Sequence, residues 1–339
     1  MTGIICSMQK IMSVPYFKVM KRSAIVILIT AFLIMGNFAC QRKSAKTPGG
    51  TSRLKVLTTF LPIYVFTMNV AKDVPGVSVD VLIPPEQAGP HSYEPTPSDM
   101  KKVAEADILI ANGLGIETFL DRIKSVKPGL KIVFASEGIQ PLPDVPEERL
   151  WETGGQEDTH HEEHGTYNPH LWVSPYLAAK EAMNISAALA SLDPADADKY
   201  RANAAAYSAM LNNIANEIKN SLAGAKNNKI VTVHNAFDYF ARDFGLDVVA
   251  VLRVDPESEP RAGELALISQ KMRSMSVAAI FTEPQFSTKI AEVLAKETGI
   301  PVYELDPADM GRASLDLYQR VMRKNMENLK TALGAGAAK

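Results

Sequence analysis

The longest helical pattern lies near the middle of the chain, where residues 193–228 read DPADADKYRANAAAYSAMLNNIANEIKNSLAGAKNN. Asp193 suits an N-cap, and Pro194 suits the first helical position. From residue 195 to 222 the apolar residues recur at spacings of three and four. They are Tyr200, Ala204, Tyr207, Met210, Leu211, Ile214 and Ile218. A helix of this length spans about 42 Å, enough to run along a two-lobed protein.

Four short β-branched runs precede this helix and four follow it. They are residues 55–60, 77–83, 107–111 and 131–135, then 229–233, 247–252, 277–282 and 301–305. Helical stretches such as 97–106 and 262–274 separate them, and strands that alternate with helices predict parallel sheets. We therefore expect an α/β fold with two lobes, each a four-stranded, mainly parallel sheet flanked by helices, bridged by one long rigid helix. A surface helix of a single domain is the alternative. The expected divisions are an N-terminal lobe (54–191), the bridging helix (192–224) and a C-terminal lobe (225–339).

The first 39 residues have the pattern of a secretory signal peptide. The basic pair Lys21-Arg22 precedes an apolar run over residues 23–35, which is too short to span a membrane. Cys40 directly follows Ala39, as at a bacterial lipoprotein cleavage site. We therefore expect a lipid on Cys40, a lipid-anchored linker over residues 40–53, and a mature protein held at a membrane and facing the periplasm or the cell exterior.

The number of cysteines and the distribution of charge exclude two further features, an internal disulfide and a nucleic-acid-binding surface. The other cysteine, Cys6, lies in the leader, so the mature chain has no pair for an internal disulfide. Residues 1–39 hold four bases and no acid, and the remainder has 32 bases against 38 acids. This mildly acidic body argues against a nucleic-acid-binding surface, which needs a clustered excess of Lys and Arg.

Three of the six histidines stand at strand ends or tight turns. His91 follows Gly89-Pro90, His170 follows Asn168-Pro169, and His234 follows the run 229–233. Ligands bind at the carboxyl ends of strands in open α/β sheets. Each histidine alone suits a structural role, but three in such places indicate a metal site.

Acids in similar places are Glu283, after Ile280-Phe281-Thr282, and Asp306, after Tyr303-Glu304-Leu305. Neutral imidazoles with one carboxylate suit Zn²⁺, and Mn²⁺ is the alternative. Two ligands from each lobe would place the ion in a cleft between the lobes.

Five spaced motifs resemble the solute-binding subunit of zinc/manganese ABC transporters, over residues 54 to about 333. They are His91-Ser92-Tyr93-Glu94-Pro95-Thr96-Pro97-Ser98-Asp99 with Asn112-Gly113-Leu114-Gly115 downstream, Asn168-Pro169-His170-Leu171-Trp172, Val233-His234-Asn235-Ala236-Phe237-Asp238-Tyr239-Phe240, Ser258-Glu259-Pro260, and Glu283-Pro284-Gln285-Phe286. The resemblance implies two lobes on a rigid helix, with metal held between them by three histidines and often a carboxylate.

Carried over by position, the ligands are His91, His170 and His234. Asp306 is the expected fourth ligand, because Leu305-Asp306-Pro307 resembles the late acidic turn of that family. The turn here is longer than the common one, so Asp309 remains an alternative, and a structural or supporting role is expected for Glu283. The resemblance further implies a non-enzymatic, monomeric protein that delivers metal to a permease, with ATP hydrolysis in a separate ATPase subunit.

Two other classes compete with this interpretation. A metal-dependent hydrolase could use a three-histidine zinc site to activate water. His160-His161-Glu162-Glu163-His164 even has the H-x-x-E-H spacing of some metallopeptidases, but it lies in the polar tract 152–165 rather than in a helical pattern. This His/acid-rich loop, with His160, His161 and His164, is an expected weak auxiliary metal site or a plain linker. A surface adhesin is the third class.

Overall fold

A computed structural model describes residues 53–87, 89–144, 167–252 and 262–335. The expected signal peptide, Cys40, the loop 152–165 with its three histidines, and the Ser258-Glu259-Pro260 motif lie outside the described residues. Among the helices in the described ranges, none is long and apolar enough to cross a membrane.

The first lobe is built on a parallel sheet with the strand order β2-β1-β3-β4. Its strands are β1 (Leu54–Thr58), β2 (Val77–Val81), β3 (Ile108–Ala111) and β4 (Lys131–Phe134). Its helices are α1 (Leu61–Val70), α2 (Pro97–Glu105) and α3 (Leu120–Val126). The central strand β3 is fully buried and purely apolar (ILIA), as expected for a parallel strand covered on both faces.

The second lobe repeats this plan with the strand order β6-β5-β7-β8, again parallel throughout. Its strands are β5 (Lys229–Thr232), β6 (Asp247–Val251), β7 (Ala279–Thr282) and β8 (Val302–Glu304). Its helices are α6 (Asp238–Phe244), α7 (Ala262–Met275), α8 (Lys289–Thr298) and α9 (Leu317–Ala332). The predicted two-sheet α/β fold is confirmed. Most strands end slightly before the predicted residue, because the chain there leaves the sheet for the loops that carry the polar side chains.

Two helices connect the lobes, α4 (Pro175–Leu192) and the long α5 (Ala197–Leu222). The long helix begins two residues later than predicted, because residues Pro194–Asp196 form a separate 3₁₀ turn. Asp193 does not cap it: its carboxylate instead accepts hydrogen bonds from Arg53 and from Tyr200. Helix α5 packs on α1 and α4 on one side and on α6 and α9 on the other. It therefore contacts both lobes, as a bridging helix must.

One apolar core runs through the first lobe, the long helix and the inner part of the second lobe. Phe66 of α1 illustrates this, since its ring lies 6.0 Å from that of Tyr207 in α5 and 5.2 Å from that of Tyr318 in α9. Each fully buried side chain of this kind contributes about 1.5–3 kcal/mol. The outer part of the second lobe has its own cluster, around Val231, Ile268 and Ile280.

Candidate metal-binding site

The rings of His91, His170 and His234 come together between the two sheets. Each offers a ring nitrogen, and the three nitrogens lie within 4.8 Å of one another. The Nε2 atoms of His91 and His170 are 3.2 Å apart. Two imidazole nitrogens on a tetrahedral Zn²⁺ are separated by about 3.3 Å, given Zn–N bonds of about 2.0–2.1 Å. The geometry therefore suits a small cation.

Strand order explains why His234 and Glu283 are neighbours. Strands β5 and β7 pair directly, and the two residues follow them at the carboxyl edge of the sheet. His234 is 5 % exposed and Glu283 is 2 % exposed. The Nδ1 atom of His234 lies 3.6 Å from Oε2 of Glu283, which is close for opposite charges but longer than a hydrogen bond. Ligation through the other nitrogen, Nε2, would leave this pair in place.

The loop that carries His91 is fixed by a capping box at the start of α2. Thr96 is the N-cap, its hydroxyl accepts from the backbone N–H of Asp99, and the Asp99 carboxylate accepts from the backbone N–H of Thr96. Tyr93, two residues after His91, also donates to Asp99, at 2.7 Å. Burial alone would raise the pKa of Asp99, but the hydrogen bonds from Thr96 and Tyr93 outweigh it and lower that pKa.

His170 is positioned by Asn168 and the short 3₁₀ turn Leu171–Val173. Its ring Nδ1 and its backbone N–H both lie within hydrogen-bond distance of Oδ1 of Asn168, at 2.9 Å and 3.0 Å. Burial, with His234 and His91 nearby, holds the pKa of His170 well below its usual range. A proton on Nδ1 therefore leaves a neutral imidazole with a free lone pair on Nε2, which is the form that binds metal.

A buried glutamate, which sequence reasoning missed, supports the neighbouring loop. The carboxylate of Glu117 accepts from Thr59 and from the backbone N–H groups of Asn112 and Gly113. Gly113 has φ +94°, and a Cβ atom there would lie 2.6 Å from Oγ of Ser136, so this position requires glycine. Asn112 in turn donates to the carbonyl of Pro169, next to His170. The only signal in the sequence was the glycine pattern that precedes Glu117.

Asp306 and Asp309 lie in the turn after β8 and have different surroundings. Oδ1 of Asp306 accepts from the backbone N–H of Ala308 at 2.7 Å, and Ala308 has the left-handed φ of 63°. Asp309 is 9 % exposed, and its Oδ1 has no hydrogen-bond partner among the described residues. Burial and then Glu283 raise the pKa of Asp309 to about 7, and His234 opposes this shift. The charge of Asp309 is among those that raise the pKa of His234.

The site therefore combines imidazole nitrogen donors with buried acids. Three imidazoles converge, and Glu283 and Asp309 each keep one carboxylate oxygen unbonded within the described parts of the chain. Buried acids of this kind are costly without a cation or a proton to neutralise them. Nitrogen with carboxylate oxygen is a donor set for Zn²⁺ and related divalent ions.

Comparison with known proteins also points to metal binding. Residues 56–332 match the model of the family described as zinc-uptake complex component A, periplasmic (ZnuA). The chain is 32% identical to the high-affinity zinc uptake system protein ZnuA of Bacillus subtilis, covering 92% of this chain and 98% of that protein. It is also 32% identical to the zinc-binding protein AdcA of Streptococcus pyogenes, covering 90% of this chain but only 61% of AdcA.

Among solved structures, the laminin-binding protein Lmb of Streptococcus agalactiae is similar, with a TM-score of 0.70 and 28% identity. The match covers 83% of this chain and 99% of Lmb. That structure is described as a bifunctional protein with adhesin and metal-transporting activity.

Proposed function

This chain belongs to the family of the periplasmic zinc-uptake complex component A, and from that membership we propose that it captures Zn²⁺ outside the cytoplasm for an ABC importer. The observation that carries the proposal is the convergence of three histidine nitrogens within 4.8 Å. The permease would receive the ion, and a separate ATPase subunit would supply the energy. A lipid on Cys40 would keep the monomeric protein near its permease.

The proposed ligands are His91, His170 and His234. The 3.2 Å separation of two Nε2 atoms supports a shared ion, and the bond from His170 to Asn168 supports Nε2 as its ligating atom. For the fourth position the contacts favour Asp309. The Asp306 carboxylate accepts a hydrogen bond from the backbone of its own turn, whereas Asp309 has a buried oxygen with no hydrogen-bond partner among the described residues.

Zinc is the proposed cargo, with manganese as the alternative. Three nitrogen donors suit a borderline cation such as Zn²⁺, whereas Mn²⁺ prefers sites richer in oxygen. The carboxylates of Glu283 and Asp309, which both act on His234, could supply the oxygen ligands that Mn²⁺ prefers. Competition between the two ions for one protein sample separates these alternatives.

The decisive experiment measures the metal content and the competition affinity of the protein produced without residues 1–40. We expect one tightly bound Zn²⁺ per chain. His91→Ala, His170→Ala and His234→Ala should each weaken zinc binding by about tenfold or more while the circular dichroism spectrum stays unchanged. Wild-type affinity in any two of these variants would exclude the assignment.

The hydrolase alternative is not supported, because the named relatives are zinc-binding and zinc-uptake proteins rather than enzymes. The adhesin alternative has one observation in its favour, the similarity to Lmb. A binding assay on immobilised laminin tests it, with His234→Ala as the variant that separates adhesion from metal capture. Adhesion that requires metal would be lost with His234→Ala, and independent adhesion would be retained.

A further inference from the structure

Asn168 has an unusually complete set of hydrogen bonds for a buried side chain. It is fully buried, and its Oδ1 faces the backbone N–H and the ring Nδ1 of His170. Its Nδ2 donates to the carbonyl of Asn235 at 3.0 Å and to Oδ2 of Asp238 at 3.1 Å. Its own carbonyl accepts from the hydroxyl of Tyr239 at 2.7 Å.

These bonds cross between the lobes. Asn168 and His170 lie in the segment that follows the first sheet, whereas Asn235 directly follows His234 in the second lobe. Asp238 and Tyr239 begin helix α6 of that lobe. One amide group therefore contacts the chain at both His170 and the residue next to His234.

The orientation of this amide is fixed by its partners. The backbone N–H of His170 can only donate, so it must face the oxygen of Asn168. The carbonyl of Asn235 can only accept, so it must face the nitrogen. The same oxygen then accepts the Nδ1 proton of His170, which leaves Nε2 unprotonated and directed towards the other two histidines.

We propose that Asn168 is a positioning residue that couples the ring orientation of His170 to the contact between the lobes, with Asp238 as its anchor in the second lobe. The coupling to metal rests on the proposed function of the site. Because linkage is reciprocal, a contact between lobes that favours metal binding is itself stabilised by the metal.

The test uses Asp238, which is bonded to Asn168 and is not one of the proposed ligands. Asp238→Ala removes one acceptor of the Asn168 amide, and zinc affinity should fall by about tenfold, as is usual when an outer partner of a ligand is lost. Asp238→Asn keeps an acceptor oxygen but removes the charge, so it should restore most of the affinity. If Asp238 acted only through its charge on His234, Asp238→Asn would bind as weakly as Asp238→Ala, which would overturn the proposal.

A matched control lies on the same helix. Asp243 accepts a hydrogen bond from Ser174 at the start of α4, so it also joins α6 to the preceding segment, but its described contacts do not include Asn168. Asp243→Ala should lower the melting temperature without changing zinc affinity. Equal losses of affinity in Asp238→Ala and Asp243→Ala would mean general loosening and would contradict a specific role for Asn168.

A double-mutant cycle tests whether Asp238 acts on the site through Asn168. Asn168→Ala should weaken zinc binding by about 10–100-fold, and adding Asp238→Ala should weaken it little further, because both changes break the same connection. Fully additive losses would overturn the proposal.

A metal-free measurement keeps this inference separable from the proposed function. In ¹⁵N-resolved NMR of the apo protein, the wild-type ring of His170 should carry its proton on Nδ1, and Asn168→Ala should produce a mixture of tautomers. If the protein bound no zinc but showed this change, the proposed function would fail and the positioning role would stand. A tautomer unchanged in Asn168→Ala would refute the positioning role even if zinc bound tightly.

Discussion

Asp306 and Asp309 lie three residues apart in one turn, and their carboxylates have different contacts. The sequence favoured Asp306 as the fourth ligand because Leu305-Asp306-Pro307 resembles the late acidic turn of the family. In the structure its carboxylate accepts from Ala308, which stabilises a turn with a strained left-handed φ of 63°. That turn brings Asp309 into the electrostatic neighbourhood of His234 and Glu283.

These contacts predict unequal effects of two substitutions. Asp309→Ala should weaken zinc binding by about tenfold, a loss comparable to that of other groups that support a metal site. Asp306→Ala should act mainly through the turn, lowering the melting temperature with a smaller loss of affinity. Isothermal calorimetry with thermal unfolding of both variants checks this, and a greater affinity loss in Asp306→Ala would restore Asp306 as the ligand.

Proton competition at the site gives a second prediction at this scale. Burial lowers the pKa of His234, but the Glu283 carboxylate outweighs burial and raises that pKa overall. The pKa of Asp309 lies at about 7. Because metal binds the deprotonated forms, zinc should compete with protons at these groups, and its affinity should fall as pH decreases from 8 to 6.

Calorimetry in two buffers of different ionisation enthalpy measures the protons released. We expect protons to be released at pH 7 and fewer at pH 8.5, because a carboxyl group with a pKa of about 7 is partly protonated at pH 7 and deprotonated at pH 8.5. Asp309→Asn should reduce the number released at pH 7. Zinc affinity that stays constant from pH 6 to 8 would argue against ligation by imidazole.

At the scale of helices and strands, the sequence predicted most of the architecture. All eight strands appear where β-branched runs stand between helical patterns, because periodicity and burial are local signals. The three histidines that the sequence places at strand ends or turns lie close together in the structure, and their role as ligands stays a prediction. The bonds from Asn168 to Asn235 and Asp238 could not be predicted, because they join segments about 70 residues apart and leave no periodic trace.

Helix α4 contains a feature that its pattern did not reveal. Glu181 is fully buried on the inner face of this helix, and neither carboxylate oxygen has a hydrogen-bond partner in the described part of the protein. Burial, and then the nearby Glu117, raises the pKa of Glu181 well above its usual value. Burial therefore favours the protonated, neutral form of this side chain.

This predicts that Glu181→Met stabilises the protein, because it removes an unsatisfied buried polar group. The direction in which stability changes with pH follows from proton linkage. The unfolded chain loses the Glu181 proton above about pH 4.3, whereas the native chain keeps it, so wild-type stability falls as pH rises towards the native pKa. The melting temperature of Glu181→Met should exceed that of wild type, by about 2–4 °C for each kcal/mol gained, and the difference should grow with pH.

A matched variant separates charge from polarity. Glu181→Gln removes the titration but keeps an unsatisfied polar group, so it should lose the pH-dependent part of the effect and gain little stability at low pH. Thermal unfolding at pH 5 and pH 8 compares the three proteins. A lower melting temperature for Glu181→Met at both pH values would mean that the carboxyl group has a stabilising partner.

At the scale of the whole molecule, the two lobes share one core. Buried residues of the first sheet, the long helix and the inner second lobe form a continuous apolar cluster. Tyr318 of α9 also donates to the carbonyl of Trp172, and Trp172 donates to the carbonyl of Pro307, so polar contacts reinforce the connection. Lobes joined in this way should move by small adjustments rather than by wide separation.

The shared core predicts one cooperative unfolding transition for the protein without residues 1–40. Scanning calorimetry should give one peak whose calorimetric and van't Hoff enthalpies agree. A ligand that binds only the folded protein stabilises it, so zinc at about 100 times its Kd should stabilise the fold by about 2.7 kcal/mol and shift the whole peak upward. His234→Ala should unfold in one peak that zinc shifts much less. The outer part of the second lobe has a separate apolar cluster around Ile268 and Ile280. Two peaks, of which only one responds to zinc, would contradict the prediction. They would mean that this part of the lobe unfolds independently of the metal site.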